Sequence, residues 1–269
     1  MSKFTDQQYL KTDQYKDASN LTARATIHDR FSTNKYGWFN WVFDALKKLP
    51  PNARILELGS GSGLLWNAIG DRIPAGWDIT LSDLSSGMLD SAWRNLVVLG
   101  RAFQFKEIDA QSIPFADETF DAVIANHMLY HVPDRAKAFT QIKRVLKSGG
   151  YFFAATNGEN HMREMTDWFR RIQSEHVWGK PIAGFMLENG AEQLAQFFRS
   201  VSLSRYEDSL QVTELEPLMD YIRSMMRADE LSEEELAKVQ AELEKELKEK
   251  GRIFITKDFW FIRSDKIIQ

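Results

Sequence analysis

A glycine-rich turn flanked by acidic residues is the feature of this sequence with the clearest chemical meaning. The string ILELGSGSG at residues 55–63 places an acid, Glu57, two residues before three glycines that alternate with serine. Glycine lets the backbone turn tightly and lets a ligand approach the main chain closely. A second acid, Asp83, follows about 20 residues on, where an acid can accept hydrogen bonds from ribose hydroxyls.

The candidate proton acceptors are the histidines, of which the chain has five. The chain has no cysteine. His127 and His131 are four residues apart, a spacing that puts them on one helical face if the turn there is helical. We predict His127 as a base that faces the ligand and His131 as its support; alternatively, one or both hydrogen-bond the local backbone. His161 is a further candidate for the pocket wall, whereas His28 and His176 are interpreted as surface or packing residues. Because nearby acids do not complete a ligand set, no metal site is predicted.

Alternating strands and helices must position these residues. The predicted strands are 53–58, 78–83, 102–109, 120–126 and 151–156, and predicted helices cover 64–73, 86–99 and 134–147. This alternation implies βαβ units and a doubly wound α/β fold with a mostly parallel sheet. Ligands in such sheets bind beyond the carboxyl ends of the strands, where the glycine turn, Asp83 and His127 fall.

The segments outside this pattern are predicted to be mainly helical. The predicted helices are 20–32, 34–49, 160–178, 190–199 and a solvated amphipathic helix that runs to Lys250, and the predicted strands are 200–208 and 252–262. We therefore divide the chain into an N-terminal helical lid segment (1–50), an α/β domain (51–158 and 200–269) and a helical cap insertion (159–199).

The spacing of the glycines distinguishes between nucleotide cofactors. Gly59, Gly61 and Gly63 give G-x-G-x-G, whereas the dinucleotide fingerprint is G-x-G-x-x-G and expects glycine where Leu64 stands. With Glu57 two residues before the first glycine, the string resembles the first motif of the class I S-adenosylmethionine-dependent methyltransferases.

Four further segments are similar to motifs of the same family and fall in register with the first. They are LSDLSSGML (81–89), IDAQSIPFADETFD (108–121), VIANHMLYHVPD (123–134) and LKSGGYF (146–152). The resemblance covers residues 50–156 well and the last strand moderately, and it implies a seven-stranded sheet of order 3-2-1-4-5-7-6 with the last strand antiparallel. The alternative, in which the glycines serve only a tight turn, is disfavoured because five motifs agree.

The resemblance implies S-adenosylmethionine as the methyl donor and a small molecule as the acceptor. It places Asp83 at the ribose, Met88 under the adenine and Asp109 in the adenine-binding segment. The implied donor-binding residues are Glu57, Gly59, Ser60, Gly61, Asp83, Leu84, Met88, Asp109, Ala110 and Asn126. Two other functions stay open: a non-catalytic S-adenosylmethionine-binding protein and, disfavoured by the glycine spacing, a nicotinamide-dependent oxidoreductase.

Residues 1–36 are predicted to form a lid over the acceptor. The segment is polar enough to detach, yet it carries aromatic side chains such as Tyr15 and Tyr36 that can cover an apolar molecule. Arg24 and Arg30 lie in the same segment, and one of them is expected to meet the donor's methionine carboxylate, with Arg30 as the candidate for donor binding. The alternative is a helix that simply packs on the sheet.

Composition narrows the possible partners. The 269 residues carry a net charge of −4 without a basic patch, which disfavours nucleic acid as the substrate. No stretch approaches the roughly 18 apolar residues of a membrane span. The polar N-terminus lacks an apolar signal core, so a cytoplasmic location is expected. The sequence leaves open the acceptor's identity, the atom that is methylated and the oligomeric state.

Overall fold

Seven strands in the described residues form the central sheet of the computed structural model, which describes residues 5–172, 184–225 and 232–266. Together with two strands outside this sheet, the strands of the described residues are β1 (Arg54–Leu58), β2 (Asp78–Asp83), β3 (Gln104–Glu107), β4 (Phe120–Asn126), β5 (Leu146–Asn157), β6 (Ser200–Tyr206), β7 (Ser209–Val212), β8 (Ile253–Thr256) and β9 (Phe259–Asp265). The sheet order is β3-β2-β1-β4-β5-β9-β6, and β7 pairs with β8 in a separate two-stranded sheet.

This sheet confirms the doubly wound order 3-2-1-4-5-7-6, with β9 as the last strand. Neighbours among β1 to β5 pair in parallel, whereas β9 runs antiparallel to β5 and to β6. Because parallel strands end at the same edge of a sheet, the carboxyl ends of β1, β2 and β4 lie side by side. The glycine turn, Asp83 and Asn126 therefore meet at one edge, as the sequence predicts.

Both faces of the sheet are buried, because successive side chains of a strand point to opposite faces. Ile55 and Ile124 pack in the core on one face, whereas Leu56 and Val123 pack in the core on the other. Strands buried on both sides read as continuous apolar runs, which is why β1 and β4 are evident in the sequence.

Helices cover the two faces and form a further layer beside the sheet. They are α1 (Gln7–Tyr9), continued by a π-helical turn (Leu10–Gln14), α2 (Ser19–Phe31), α3 (Trp38–Leu46), α4 (Leu64–Ile69), α5 (Ser86–Leu96), α6 (Arg135–Val145), α7 (Arg163–Arg171), α8 (Leu187–Ala195), α9 (Leu215–Met225) and α10 (Glu233–Lys250). None of the helices in the described ranges is both long and apolar enough to cross a membrane. The predicted helix 160–178 is described only as far as Arg171, and its last residues lie outside the described residues.

A second hydrophobic core lies apart from the sheet. The residues that form it do not follow the predicted division of the chain. Ile27 and Phe31 of α2 pack there with Leu210 of β7, Met219 of α9 and Val239 of α10. The segment from β7 to β8 thus belongs to this second core, so the assignment of all of residues 200–269 to the α/β domain is too broad. Among the described residues of that range, only β6 and β9 return to the central sheet.

The predicted final strand 252–262 is in fact two strands that join different sheets. β8 ends at Thr256 and pairs with β7, whereas β9 begins at Phe259 and pairs with β5 and β6. Between them, the ammonium group of buried Lys257 forms an ion pair with Asp208, and Asp258 accepts a hydrogen bond from the indole of Trp260 at 2.8 Å. The partner of Lys257, Asp208, is far away in the chain, and the partner of Asp258, Trp260, lies in the next strand. Local β propensity therefore could not locate the break.

Candidate active site

The glycine turn after β1 exposes its main chain to a large cavity. Gly59, Gly61 and Gly63 have φ values of +63°, +54° and +76°, a region that side chains with a Cβ rarely adopt. A Cβ on Gly59 would lie 2.7 Å from Cβ of Met128, and a Cβ on Gly61 would lie 2.8 Å from Cδ2 of Leu21 in α2. The turn is therefore a cradle that only glycine fits in this closed arrangement.

Asp83 at the end of β2 is held beside this turn by backbone donors. Its carboxylate accepts hydrogen bonds from the backbone N–H groups of Gly61 and Ser85, each at 2.9 Å. Burial raises the pKa of Asp83, although these hydrogen bonds oppose the shift. The site therefore favours ligand hydroxyls or charges that stabilise the ionised carboxylate.

Asp109, just beyond β3, is anionic. Burial raises its pKa, but hydrogen bonds from the backbone of Gln111 and from the side chains of Gln7 and Gln111 outweigh this effect, so its pKa is lowered. The amide of Gln7 donates to Oδ2 of Asp109 at 3.0 Å, which ties the N-terminal segment to this side of the cavity.

Glu57 in β1 is almost completely buried, with 3% of its surface exposed. The indole N–H of Trp66 donates to Oε2 of Glu57 at 2.6 Å. Burial raises the pKa of Glu57 to about 8, and the hydrogen bond from Trp66 offsets only part of that rise. Without a positively charged neighbour, Glu57 is therefore mainly protonated at neutral pH.

Asn126 ends β4 and His127 follows it, and both have buried polar atoms without a hydrogen-bond partner in the described residues. His127 has φ of +52° and donates its backbone N–H to the carbonyl of Ala155 at 3.0 Å. Nε2 of His127 and both amide atoms of Asn126 are buried without a hydrogen-bond partner within the described part of the chain. Burial, together with the charge of Lys257, lowers the pKa of His127 to about 4. Strain and unpaired polar atoms at one point of the chain are typical of a ligand site.

His131 has different neighbours from His127. Its Nε2 lies 2.9 Å from the hydroxyl of Tyr15, and its ring contacts those of Tyr15 and Tyr130. The ring of His127 instead contacts Trp38 and Phe259. The two rings thus lie among different aromatic side chains, with His131 at the end of a short 3₁₀ turn (Leu129–His131), and support of His127 by His131 stays a prediction.

The two candidate arginines of α2 differ in their surroundings. Arg30 forms an ion pair with Glu214, and both side chains are about half exposed. Arg24 lies deeper: its Nη1 donates to the hydroxyl of Tyr15 at 3.4 Å, and its Nη2 is buried without a partner in the described residues. Arg24, rather than the predicted Arg30, thus has a free donor that is turned away from bulk solvent.

All of the predicted donor and histidine residues of the α/β domain border one cavity of about 1010 Å³. Those not yet placed are Ser60, Leu84, Met88 and Ala110. The cavity continues from the glycine turn to a second end that sequence reasoning largely missed. His28, His161, Trp38, Lys257 and Phe259 line that end.

His28, His127 and His161, here called the histidine cluster, surround the ring of Phe259. Their ring centroids lie 5.5, 4.9 and 4.7 Å from that of Phe259. Of the two predicted alternatives for His28, the surface position is wrong; its ring packs against other aromatic rings, and α2 also presents it to the cavity. The spacing of Leu21, Arg24 and His28 on one helical face was the signal that could have shown this. His176 lies outside the described residues.

The cavity holds no evident metal-binding group. Across residues 5–172, 184–225 and 232–266, no three His, Asp or Glu side chains are arranged to hold a metal ion. The end of the cavity at the glycine turn combines a glycine cradle, two acids beside it and unpaired polar atoms. This combination fits a nucleoside-containing ligand with charged groups.

A sheet of this order, a glycine cradle and an acid at the end of β2 fit the arrangement of class I S-adenosylmethionine-dependent methyltransferases. Residues 56–154 match the model of a family described as a methyltransferase domain. This match supports an S-adenosylmethionine-dependent methyltransferase, with residues 56–154 as its methyltransferase domain.

Curated relatives and solved structures agree with this assignment. The chain is 27% identical over 187 residues to the ubiquinone/menaquinone biosynthesis C-methyltransferase UbiE of Xanthomonas campestris pv. campestris, covering 68% of this chain and 72% of the relative. A phosphoethanolamine N-methyltransferase 2 of Haemonchus contortus, solved with S-adenosyl-L-methionine, superimposes with a TM-score of 0.60 at 19% identity, covering 100% of this chain and 61% of that one. The YcgJ protein of Bacillus subtilis gives a TM-score of 0.57 at 16% identity, covering 85% and 98%. At these identities the two structures show a shared fold.

Proposed function

We propose that this methyltransferase methylates a small molecule that binds in the half of the cavity opposite the glycine turn. The observation that carries the proposal is the continuity of one cavity from the donor cradle to the histidine cluster. S-adenosylmethionine supplies an electrophilic methyl group, and transfer needs the acceptor in line with it. Holding the two in line can supply roughly 7–11 kcal/mol of the barrier at best.

The donor end divides the contacts among residues at the carboxyl ends of β1, β2 and β3 and residues of α5 and α2. Asp83 accepts from the ribose hydroxyls, Asp109 and Met88 hold the adenine, and the backbone of the glycine turn lies against the methionine part. Glu57 faces the positive charge of the donor from beneath the turn. Arg24 replaces Arg30 in our proposal as the partner of the donor's carboxylate, since its Nη2 is buried and free within the described chain.

His127 is the proposed acceptor of a proton from the substrate. Because its pKa lies near 4, the ring is uncharged at neutral pH and Nε2 can accept a hydrogen bond. Such a weak base helps only when the acceptor group is itself acidic. Its main contribution is then to orient the reacting group against the donor.

Residues 5–17, here called the strap, are proposed to close over the donor. Ser85 donates to the carbonyl of Tyr15 at 2.7 Å, and Gln14 donates to the carbonyl of Ser224 at 3.2 Å. A Cβ on Gly87 would lie 1.9 Å from the carbonyl oxygen of Lys16, so the strap packs tightly on the first turn of α5. α2 belongs to the second core, so we restrict the predicted lid of residues 1–36 to the strap.

The family match does not extend to the acceptor end. It covers residues 56–154, whereas His28, His161, Lys257 and Phe259 lie outside that range. The relatives' C-methylation in quinone biosynthesis is therefore one possible precedent for the acceptor, and we propose only the class of small organic molecules. We further propose that the protein acts on neither nucleic acid nor membranes, and the net charge of −4 supports the exclusion of nucleic acid. We also propose that it works in the cytoplasm, which the lack of cysteine supports.

Transfer of a labelled methyl group tests the proposal. The protein is incubated with methyl-labelled S-adenosylmethionine and the small-molecule fraction of a cell extract, and mass spectrometry searches for the label. We expect the label in a low-mass product together with S-adenosylhomocysteine, and neither with a Gly61→Val control. Donor binding without any transfer of label would instead favour a non-catalytic S-adenosylmethionine-binding protein.

A further inference from the structure

The acceptor end of the cavity is chemically distinct from the donor end because its histidines are uncharged. Burial, with the charges of His127 and Lys257, lowers the pKa of His161 to about 3, and burial holds the pKa of His28 well below its usual value. The backbone N–H of Asp258 donates to Nδ1 of His161 at 3.3 Å. The proton of the neutral His161 ring is therefore on Nε2, so this ring can act as a hydrogen-bond donor there.

Several polar atoms at this end have no partner. Nδ1 of His28, Nε2 of His127, Oδ1 of Asn157 and the amide of Asn126 are buried and make no hydrogen bond within the described residues. Each such atom destabilises the unliganded protein, because its lost contact with water is not replaced by another hydrogen bond. A ligand that offers both donors and acceptors, as hydroxyl groups do, recovers this loss.

The charges around this end disfavour a cation. The ammonium group of Lys257 lies 4.7 Å from the centre of the Phe259 ring, and it also accounts for part of the lowered pKa of His127. Among the described residues that border the cavity, the carboxylates are those of Glu57, Asp83 and Asp109 at the donor end and of exposed Asp29. Asp208, which pairs with Lys257, is not among the residues that border the cavity. An alkylammonium ion at the histidine cluster would thus lose its hydration without a carboxylate in the adjoining wall to serve as its counter-ion.

We infer that the histidine cluster binds an acceptor through weakly acidic hydroxyl groups, phenolic or enolic, and rejects alkylammonium acceptors. This inference rests on the proposed function, because it names the substrate class of the same cavity. When such a hydroxyl is methylated, a bond forms between its oxygen and the methyl carbon as the carbon–sulfur bond breaks. The electron pair of the broken bond stays on sulfur. Because the oxygen becomes positive as it takes up the methyl group, its proton becomes strongly acidic and can pass to Nε2 of His127 although that ring is a weak base.

His161 is the residue that sets this preference. Its Nε2–H donates to the acceptor oxygen and stabilises the negative charge that grows as the proton leaves. His28 and Asn157 complete the hydrogen bonds to a second oxygen. Phe259 and Trp38 contact each other edge to face, with ring centroids 5.3 Å apart, and together they offer an aromatic wall against which a planar ring can pack.

A matched pair of probes tests the inference on the protein loaded with S-adenosylhomocysteine. 2-Naphthol and 2-(aminomethyl)naphthalene share a ring system, but the first carries an acidic hydroxyl and the second an ammonium group at neutral pH. Calorimetry is expected to show at least about tenfold tighter binding of 2-naphthol, a difference of about 1.4 kcal/mol. Equal affinities, tighter binding of the amine or binding of neither probe would overturn the inference.

Variants of His161 separate its proposed role from a structural one. His161→Phe should weaken 2-naphthol binding about tenfold, whereas His161→Gln, which keeps an N–H near the same position, should restore most of it. Neither change should alter the affinity for S-adenosylhomocysteine. If wild-type protein does not bind S-adenosylhomocysteine, the proposed function fails; if it does and the probes are not distinguished, the inference alone fails. Should His161→Phe not fold, the comparison of probes on the wild-type protein still decides.

Discussion

Donor binding is predicted to release a proton from Glu57. In the free protein, burial raises the pKa of this carboxyl group to about 8, so about nine in ten molecules are protonated at pH 7. The sulfonium and ammonium groups of the donor favour the ionised form and lower this pKa. Ionising Glu57 at pH 7 costs about 1.4 kcal/mol, the value of one pKa unit. Binding should therefore release about 0.9 proton at pH 7, and the affinity should rise about tenfold between pH 6 and pH 7.

Calorimetry in two buffers of different ionisation enthalpy measures this release directly. Glu57→Gln is the control, since it keeps the hydrogen bond from Trp66 but cannot ionise. Its residual proton release reports on Asp83, whose pKa is also raised, while His127 and His161 stay uncharged over this range. A wild-type binding enthalpy that is independent of the buffer, or a release that persists unchanged in Glu57→Gln, would refute the assignment of Glu57.

The same shift has a consequence for stability. The pKa of Glu57 is higher in the folded protein than its ordinary value of 4.5, so the folded state binds the proton more tightly. The contribution of the Glu57 carboxyl group to the free energy of unfolding is fully present below about pH 4.5 and is lost as the pH rises through about 8. The melting temperature of the donor-free protein should therefore fall more steeply between pH 6 and pH 8 than that of Glu57→Gln.

Three further predictions concern the glycine turn, His127 and the strap. Gly61→Val should abolish donor binding, whereas Gly100→Val, with a similar positive φ but no atom within 4 Å of its Cβ, should reduce stability only; equal affinities in calorimetry would make the turn merely structural. His127→Asn, which tolerates the positive φ, should lower turnover by about 10²-fold with donor affinity nearly unchanged; a loss below tenfold in initial-rate assays would leave His127 as a wall of the pocket. Deleting residues 1–17 should leave a folded protein with weaker donor binding, and in the intact chain S-adenosylhomocysteine should slow hydrogen exchange of the strap; exchange that is the same with and without ligand would exclude closure.

The donor half of this molecule was predictable because its signals are local. β2 and β4 have the predicted bounds, Asp78–Asp83 and Phe120–Asn126, since buried parallel strands are continuous apolar runs. The glycine turn was recognisable because positive φ values demand glycine at fixed positions. The predicted donor residues of this half consequently border the same cavity.

The acceptor half was less predictable because tertiary contacts determine it. α2 has no single apolar stripe, so its sequence does not tell which of Arg24 and Arg30 faces inward; packing against α9 decides this. His28 comes to the cavity for the same reason. The break between β8 and β9 depends on Asp208, which is about 50 residues from Lys257 in the chain, and no local pattern reports such a pairing.

The position of the transferable methyl group tests the central claim most directly. With ¹³C-methyl-labelled S-adenosylmethionine bound to the protein, NMR can detect which protons lie within about 5 Å of the methyl group through nuclear Overhauser effects. We predict contacts from the methyl group to the side chains of Asn126 and His127, at the junction of the donor end and the histidine cluster. Contacts only to residues of the adenine side, such as Met88 and Asp109, would contradict the account.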